Sequence, residues 1–253
     1  MACLRHSYRV LELWADSVEP ERKGLSRRKM TRLLAPQSSE APLFFHLTDA
    51  SPAGFHKAID QMHAVGGFDM LIYSFGSGFD LENTKPEYLA QLLNLTNYAQ
   101  SRGIEVGGYD LISDTRGGTG FDTIDPHSQK PTNNACFASG WNREITSKVL
   151  TQMRKAGVSM LETDGPYAGN PCAASDHDHV GAADSIDMQW KGQAQFYSLM
   201  REHGVYVHAP DGYLYDGGAN KECGGYAENQ MSLPRWQWLS TNIEDPYLVS
   251  ENF

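Results

Sequence analysis

Two carboxylates near the middle of the chain are the side chains best placed to do chemistry. Glu162 and Asp164 end the mostly apolar run at 158–165, VSMLETDG, and Gly165 and Pro166 interrupt the chain directly afterwards. The run predicts a short buried strand, and because side chains alternate along a strand, the two acids share one face. A carboxylate at a strand tip can act as a nucleophile or a general base. The alternative is that Asp164 caps a turn, as Asp before Gly often does.

Three further acids lie near the ends of other predicted strands, namely Asp49, Asp110 and Asp211. If the strand ends meet on one face, these acids would flank Asp164, and we expect them to position substrate together with Glu162. Taken singly, each is also typical of a loop cap.

Aromatic and histidine side chains supply the remaining candidates for substrate binding. His46 and His208 lie inside predicted strands, where each could line the site or be a hydrogen-bonded core residue. Trp236 and Trp238 follow Pro234 in a long segment, where they could stack on flat, partly apolar ligands such as sugar rings. We expect His208, Trp236 and Trp238 to contact substrate.

The run Asp176, His177, Asp178, His179 is the metal candidate of the sequence, because His and Asp are good ligands for zinc and similar cations. Four adjacent loop residues rarely all reach one ion, and the HExxH spacing is absent. A solvated acidic loop is the favoured interpretation, so we expect no metal at the site and no cofactor. A metal-assisted hydrolase that uses this run stays as an alternative.

Composition excludes several classes of partner. The chain has 253 residues, 40% of them hydrophobic, and a formal net charge of -10, which argues against polyanionic partners such as nucleic acids. No stretch approaches the ~20 apolar residues of a membrane span. The N-terminal residues lack the continuous apolar core of a signal peptide, so the compartment stays open. We expect residues 1–40 to be a poorly ordered leader or a non-native start.

Four cysteines are present, and their spacing matches no CxxC zinc motif. Cys172 and Cys223 each follow a predicted strand within a long Gly-rich loop. If those loops meet, the two thiols could form a disulfide, which would indicate an oxidising compartment. The alternative is that both are unpaired loop thiols.

Residues 41–240 show a regular alternation of strands and helices. Strands are predicted at 43–47, 68–75, 104–112, 158–165 and 205–209, and helices at 52–65, 86–102, 141–156 and 184–203. Long polar loops follow the strands, including 113–139, whereas short Gly turns lead from helix to strand. This pattern fits parallel strands with right-handed crossovers in an α/β barrel better than a doubly wound sheet, because no Gly-rich phosphate loop follows the first strand.

The number of units falls short of a closed eight-stranded barrel. Five strand–helix units are predicted, and residues 241–253 read as an irregular tail. We therefore expect an incomplete (β/α) barrel of TIM type, and a chain that is a fragment or variant of a longer barrel.

The strand VSMLETDG, fourth in order with Asp164 at its tip, resembles the nucleophile strand of the retaining α-glycosidase clan that contains the α-galactosidases. The loops GPYAGNPC, APDGYLYDGG and ECGGYAENQMSLPRWQW are also similar to loops of carbohydrate enzymes. The resemblance implies a retaining two-carboxylate hydrolase of α-linked sugars, with Asp164 as nucleophile and an acid/base on a sixth strand. It also implies a secretory-pathway origin for the parent family. Because the sequence shows no sixth strand, we expect little or no activity, and a non-catalytic carbohydrate-binding remnant is the second alternative.

Overall fold

The computed structural model describes residues 13–34, 42–164 and 169–208. Its centre is a parallel sheet of five strands, which lie side by side in chain order. These strands are β1 (Phe44–Leu47), β2 (Met70–Tyr73), β3 (Glu105–Leu111), β6 (Met160–Asp164) and β7 (Tyr206–His208). The prediction of five parallel strands in chain order is confirmed.

Helices connect the strands in the predicted alternation. They are α2 (Pro52–Val65) between β1 and β2, α3 (Pro86–Gln100) between β2 and β3, α4 (Gly140–Ala156) before β6, and α5 (Ala182–Glu202) between β6 and β7. The segment 113–139, expected to be a loop, contains a small antiparallel hairpin of β4 (Asp122–Ile124) and β5 (Pro131–Ala135). Strand β5 reads PTNNA, which has no apolar alternation by which a sequence pattern could reveal it.

Local signals fix where the helices begin and end. Ser51 caps α2 by accepting a hydrogen bond from the Gly54 amide at 3.1 Å, and Ser139 caps α4 by accepting from the Trp141 amide at 3.1 Å. Helix α4 ends at Gly157, whose left-handed φ of 66° suits glycine. Gly157 leads directly into β6, so this end of α4 sets where β6 begins.

The outer face of the sheet forms the core with the helices. Alternate strand residues, among them Leu71 and Val106, pack against α2 and α3 in one apolar cluster. Leu161 and Val207 pack with α4 and α5 in a second cluster, which includes the fully buried Trp141. Because one face is committed to this core, the alternate residues must point to the other face.

That other face is concave, because the sheet curls until its two edge strands approach each other. The ring of Phe44 on β1 lies 4.8 Å from the imidazole of His208 and 5.9 Å from the ring of Tyr206, both on β7. In a flat sheet, four spacings of about 4.8 Å would separate these strands by about 19 Å. The described strands therefore form part of a barrel, and among them β1 and β7 are not hydrogen-bonded to each other.

The segment expected to be a leader contains a helix, α1 (Pro20–Leu34), with Pro20 in its first turn and an ion pair between Arg22 and Asp16 at its start. Residues 241–253 lie outside the described residues, so the boundaries at 40 and 240 stay predictions. In the described ranges, every helix is too short or too polar to cross a bilayer.

Candidate functional site

The C-terminal end of β6 brings both acids of the central run to the concave face. Glu162 pairs in register with Tyr109 on β3 and with His208 on β7, and Asp164 pairs with Leu111. Residues paired in this way point to the same side of a parallel sheet. The shared face of Glu162 and Asp164 that the sequence predicted is thus the concave one.

Asp164 is the last residue of β6, and its carboxylate is held from the neighbouring strand. The Tyr109 hydroxyl donates a hydrogen bond to Asp164 Oδ2 at 2.8 Å. A hydrogen bond to a charged acceptor is stronger than one between neutral groups, so it fixes the orientation of the carboxylate at the strand tip. This geometry presents an oriented carboxylate where a barrel enzyme places reacting groups.

Glu162 lies two residues before Asp164 on β6, and it is held by two histidines on opposite edge strands. His208 Nδ1 lies 2.9 Å and His46 Nε2 lies 3.3 Å from the same oxygen, Glu162 Oε1. Burial by itself would raise the pKa of Glu162, but the hydrogen bonds from His208 and His46 outweigh burial and lower that pKa to about 2. The hydrogen bond to Glu162 in turn raises the pKa of His46 above its ordinary value. Glu162 is therefore an ionised group at neutral pH.

Asp110 does not join these acids, which corrects the expectation that it flanks Asp164. It pairs in register with Thr163, whose hydroxyl meets the Tyr197 hydroxyl of α5 at 2.6 Å, so Asp110 faces the helices. Burial there, and the charge of Asp80, raise the pKa of Asp110 to about 7. The reason is the twofold alternation of a strand, which turns Tyr109 inward and Asp110 outward.

Asp49 serves a turn in the structure. Its Oδ1 accepts a hydrogen bond from the Ser51 amide at 2.9 Å, and this backbone contact lowers the pKa of the exposed Asp49 carboxyl. The residue thus organises the entry into α2, as the loop-cap alternative predicts. Its role in substrate positioning has no support from these contacts.

Several predicted site residues lie outside the described residues, and their roles stay predictions. They are Asp211, Trp236, Trp238 and Cys223. The proposed disulfide partner of Cys223, Cys172, is buried, forms no disulfide with any described residue, and accepts a hydrogen bond at Sγ from the Ile124 amide at 3.4 Å.

Two residues of the site were missed or left undecided from sequence. Tyr109 lies next to Asp110, and neighbouring strand residues point to opposite faces, so only one of the two can face the site. The face of Asp110 could have been inferred from Val106, because the two are an even number of residues apart on β3 and so share one face. Apolar strand residues such as Val106 face the helices, so Asp110 faces them too. His46 was left open between site and core, and its contact with Glu162 now places it on the concave face.

Comparison with known proteins rests on structure, since no protein-family model matches the sequence and no curated protein matches it. An α-galactosidase from Lactobacillus brevis superposes with a TM-score of 0.60 at 10% identity, over 86% of this chain and 34% of that one. The chain shares the fold of this α-galactosidase. An α-galactosidase from Geobacillus stearothermophilus matches with a TM-score of 0.58 at 10% identity, over 79% of this chain and 32% of that one.

A third similar structure is a cycloalternan-forming enzyme from Listeria monocytogenes, solved with a pentasaccharide substrate. It matches with a TM-score of 0.50 at 10% identity, over 79% of this chain and 24% of that one. The chain thus spans about a third of the length of the two α-galactosidases. The predicted resemblance to the α-galactosidase clan is confirmed at the level of the fold.

Proposed function

We propose that this chain carries the nucleophile half of a retaining glycosidase site for α-linked sugars, with Asp164 as the nucleophile. The observation that carries the proposal is the Asp164 carboxylate, oriented by the Tyr109 hydroxyl at the tip of β6 on the concave face. The fold shared with two α-galactosidases supports an α-galactoside as the first substrate to test.

In this mechanism an oxygen of Asp164 forms a bond to the anomeric carbon while the glycosidic C–O bond breaks. The departing oxygen takes up the bonding electrons and a proton from a general acid. Water then gives a proton to the conjugate base of that acid and displaces the carboxylate, which regenerates Asp164. The configuration at the anomeric carbon is retained because it inverts twice.

Glu162 does not supply that proton, because the hydrogen bonds from His208 and His46 keep it ionised near neutral pH. Its negative charge beside the reacting centre instead suits stabilisation of the oxocarbenium-like transition state or a hydrogen bond from a sugar hydroxyl. General acid help is worth roughly 10²–10⁴-fold. Substrates with activated leaving groups, such as nitrophenyl α-galactoside, depend less on a general acid, so they are the first substrates to test.

The test replaces the nucleophile and supplies an external one. Asp164→Gly should abolish turnover of nitrophenyl α-galactoside by the full chain, and sodium azide should restore nitrophenol release with formation of β-galactosyl azide. The β configuration follows because azide attacks once, from the side where Asp164 stood. Asp49→Asn is the matched control, since it can keep the turn at Ser51 and should leave turnover unchanged.

Wild-type turnover by Asp164→Gly would contradict the assignment of the nucleophile. Sugar binding by the wild-type chain without any turnover would instead support the alternative of a carbohydrate-binding barrel.

A further inference from the structure

Four side chains with metal-binding atoms converge from two parts of the chain that are far apart in sequence. Cys136 directly follows β5, and Cys172, His177 and His179 lie between β6 and α5. One ligand atom from each lies within 4.8 Å of the ligand atoms of the other three. Cys172 Sγ is 3.4 Å from His177 Nδ1, and the rings of the two histidines are 5.6 Å apart.

The burial of these four side chains, with polar atoms that lack partners, indicates a binding site for a ligand. Cys136 and Cys172 are fully buried, and His179 is 9% exposed. Both ring nitrogens of His179 are buried without a hydrogen-bond partner among the described residues. Buried polar groups are nearly always paired, because a buried polar group without a partner destabilises the fold. A metal ion bonded to one nitrogen of His179 would remove one of these deficits.

We propose that Cys136, Cys172, His177 and His179 bind one zinc ion in a Cys2His2 site. Two thiolates and two imidazoles are the donor set of structural zinc sites, whereas calcium and magnesium take oxygen ligands. Tetrahedral bonds of about 2.0–2.3 Å place ligand atoms about 3.3–3.8 Å apart. The four atoms therefore need to move together by about 1 Å or less to close around zinc.

The backbone around each ligand is already tied down, which favours a preorganised site. The Cys136 amide donates to the Phe121 carbonyl at 2.9 Å. The Cys172 amide donates to Ser185 Oγ at 2.9 Å. Between the two histidines, the Asp178 amide donates to the Ala138 carbonyl at 2.8 Å. Hydrogen bonds to the neighbourhood of metal ligands hold them in place and strengthen binding.

Four protein ligands leave zinc no open position, so the site is structural and differs from a catalytic zinc centre. It therefore does not support the metal-assisted hydrolase built on the run 176–179. The ion would join the hairpin β4–β5 to the segment that follows β6. Cys172 lies eight positions after Asp164, so zinc would restrain the chain that leaves the candidate nucleophile.

The sequence hid this site because its ligands do not form a recognised motif. Cys136 and Cys172 are 36 positions apart, and only two residues of the run Asp176–His179 contribute. The competing chemistry is a disulfide between Cys136 and Cys172, which would consume two of the four ligands.

The experiment measures metal on the full chain, purified with a thiol reductant and stripped with a chelator. We expect inductively coupled plasma mass spectrometry to find one zinc ion per chain, and we expect the Tm of the protein to be higher with zinc than without it. Cobalt should replace zinc and give the visible bands of a tetrahedral ion together with thiolate charge-transfer bands. Those spectra need no variant, so they test the site even where a variant fails to fold.

Variants then assign the ligands. Cys172→Ser and His179→Gln should each lower zinc affinity by about 100-fold or more, at or above the loss from removing a hydrogen-bond partner of a ligand. His127→Gln, on the exposed turn between β4 and β5, is the matched control and should keep full affinity. Wild-type zinc affinity in His179→Gln, octahedral cobalt spectra, or a Cys136–Cys172 disulfide in the chain as expressed would each overturn the proposal.

Discussion

The contact of Glu162 with two histidines makes a quantitative prediction about stability and pH. Burial raises the pKa of Glu162, but the histidine hydrogen bonds lower it overall from 4.5 to about 2. Since one pKa unit is about 1.4 kcal/mol, the folded protein gains about 3 kcal/mol from this carboxylate at neutral pH. The Glu162 side chain is only 15% exposed, so solvent screening removes little of that energy.

The sign follows from the direction of the pKa. A carboxyl whose pKa is lowered in the folded state stabilises it fully above the ordinary value of 4.5, and this stability is lost as the pH falls toward 2. About 2 of the 3 kcal/mol should be lost between pH 6 and pH 3. His46 acts in the opposite sense, because its raised pKa stabilises the fold below 6.5 and this contribution is lost as the pH rises. The benefit of the pair is therefore greatest near pH 6.

The perturbation is Glu162→Gln, which keeps the size of the side chain and removes its charge. Urea unfolding, followed by tryptophan fluorescence, should show a free energy of unfolding about 3 kcal/mol below wild type near pH 6. The difference should narrow to about 1 kcal/mol near pH 3. Glu202→Gln, the same substitution at the exposed end of α5, should change stability little at either pH. A wild-type minus Glu162→Gln difference that is equal at both pH values would refute the assignment of an ionised, histidine-bound Glu162.

Two further predictions concern the strand β3. Asp110→Asn should stabilise the protein near pH 8 and change its stability little near pH 4. Burial raises the pKa of Asp110 to about 7, so ionisation of Asp110 destabilises the folded state as the pH rises from 3.8 through about 7. Urea unfolding at both pH values measures this difference. Equal effects at the two pH values would contradict it. Gly107→Ala should destabilise the protein by about 1–3 kcal/mol in thermal unfolding, because a Cβ there would lie 2.4 Å from the Met160 carbonyl oxygen, and a variant as stable as wild type would show that the two strands can separate.

The alternation of strands and helices was predictable because its signals are local. The helices predicted at 52–65 and 141–156 agree with α2 and α4 to within one residue, and Gly157 ends α4 as the predicted Gly turns require. The hairpin β4–β5 was missed because its strands are short and mostly polar, so they lack the apolar alternation that indicates a strand in a sequence.

The candidate site was only partly predictable, since its chemistry depends on which face each side chain takes. Glu162 and Asp164 were placed together correctly because their spacing of two residues fixes a shared face. The sequence analysis assigned the contribution of β3 to Asp110, although Tyr109 faces the site. The end of a strand does not show which of two neighbouring residues points to the concave face. The contact of His46 with Glu162 arises from the curl of the whole sheet, which no local pattern encodes.

The role of Asp164 can be tested most directly by covalent labelling. The chain would be incubated with a fluorinated α-galactosyl fluoride, which forms a glycosyl-enzyme slowly and hydrolyses more slowly still. Because fluoride departs without a proton, the reaction needs no general acid. Peptide mass spectrometry should then find one added sugar, attached to Asp164, and Tyr109→Phe should slow its formation because the carboxylate loses its hydrogen bond. A label on any other carboxylate, Glu162 included, would contradict the assignment of Asp164 as the nucleophile.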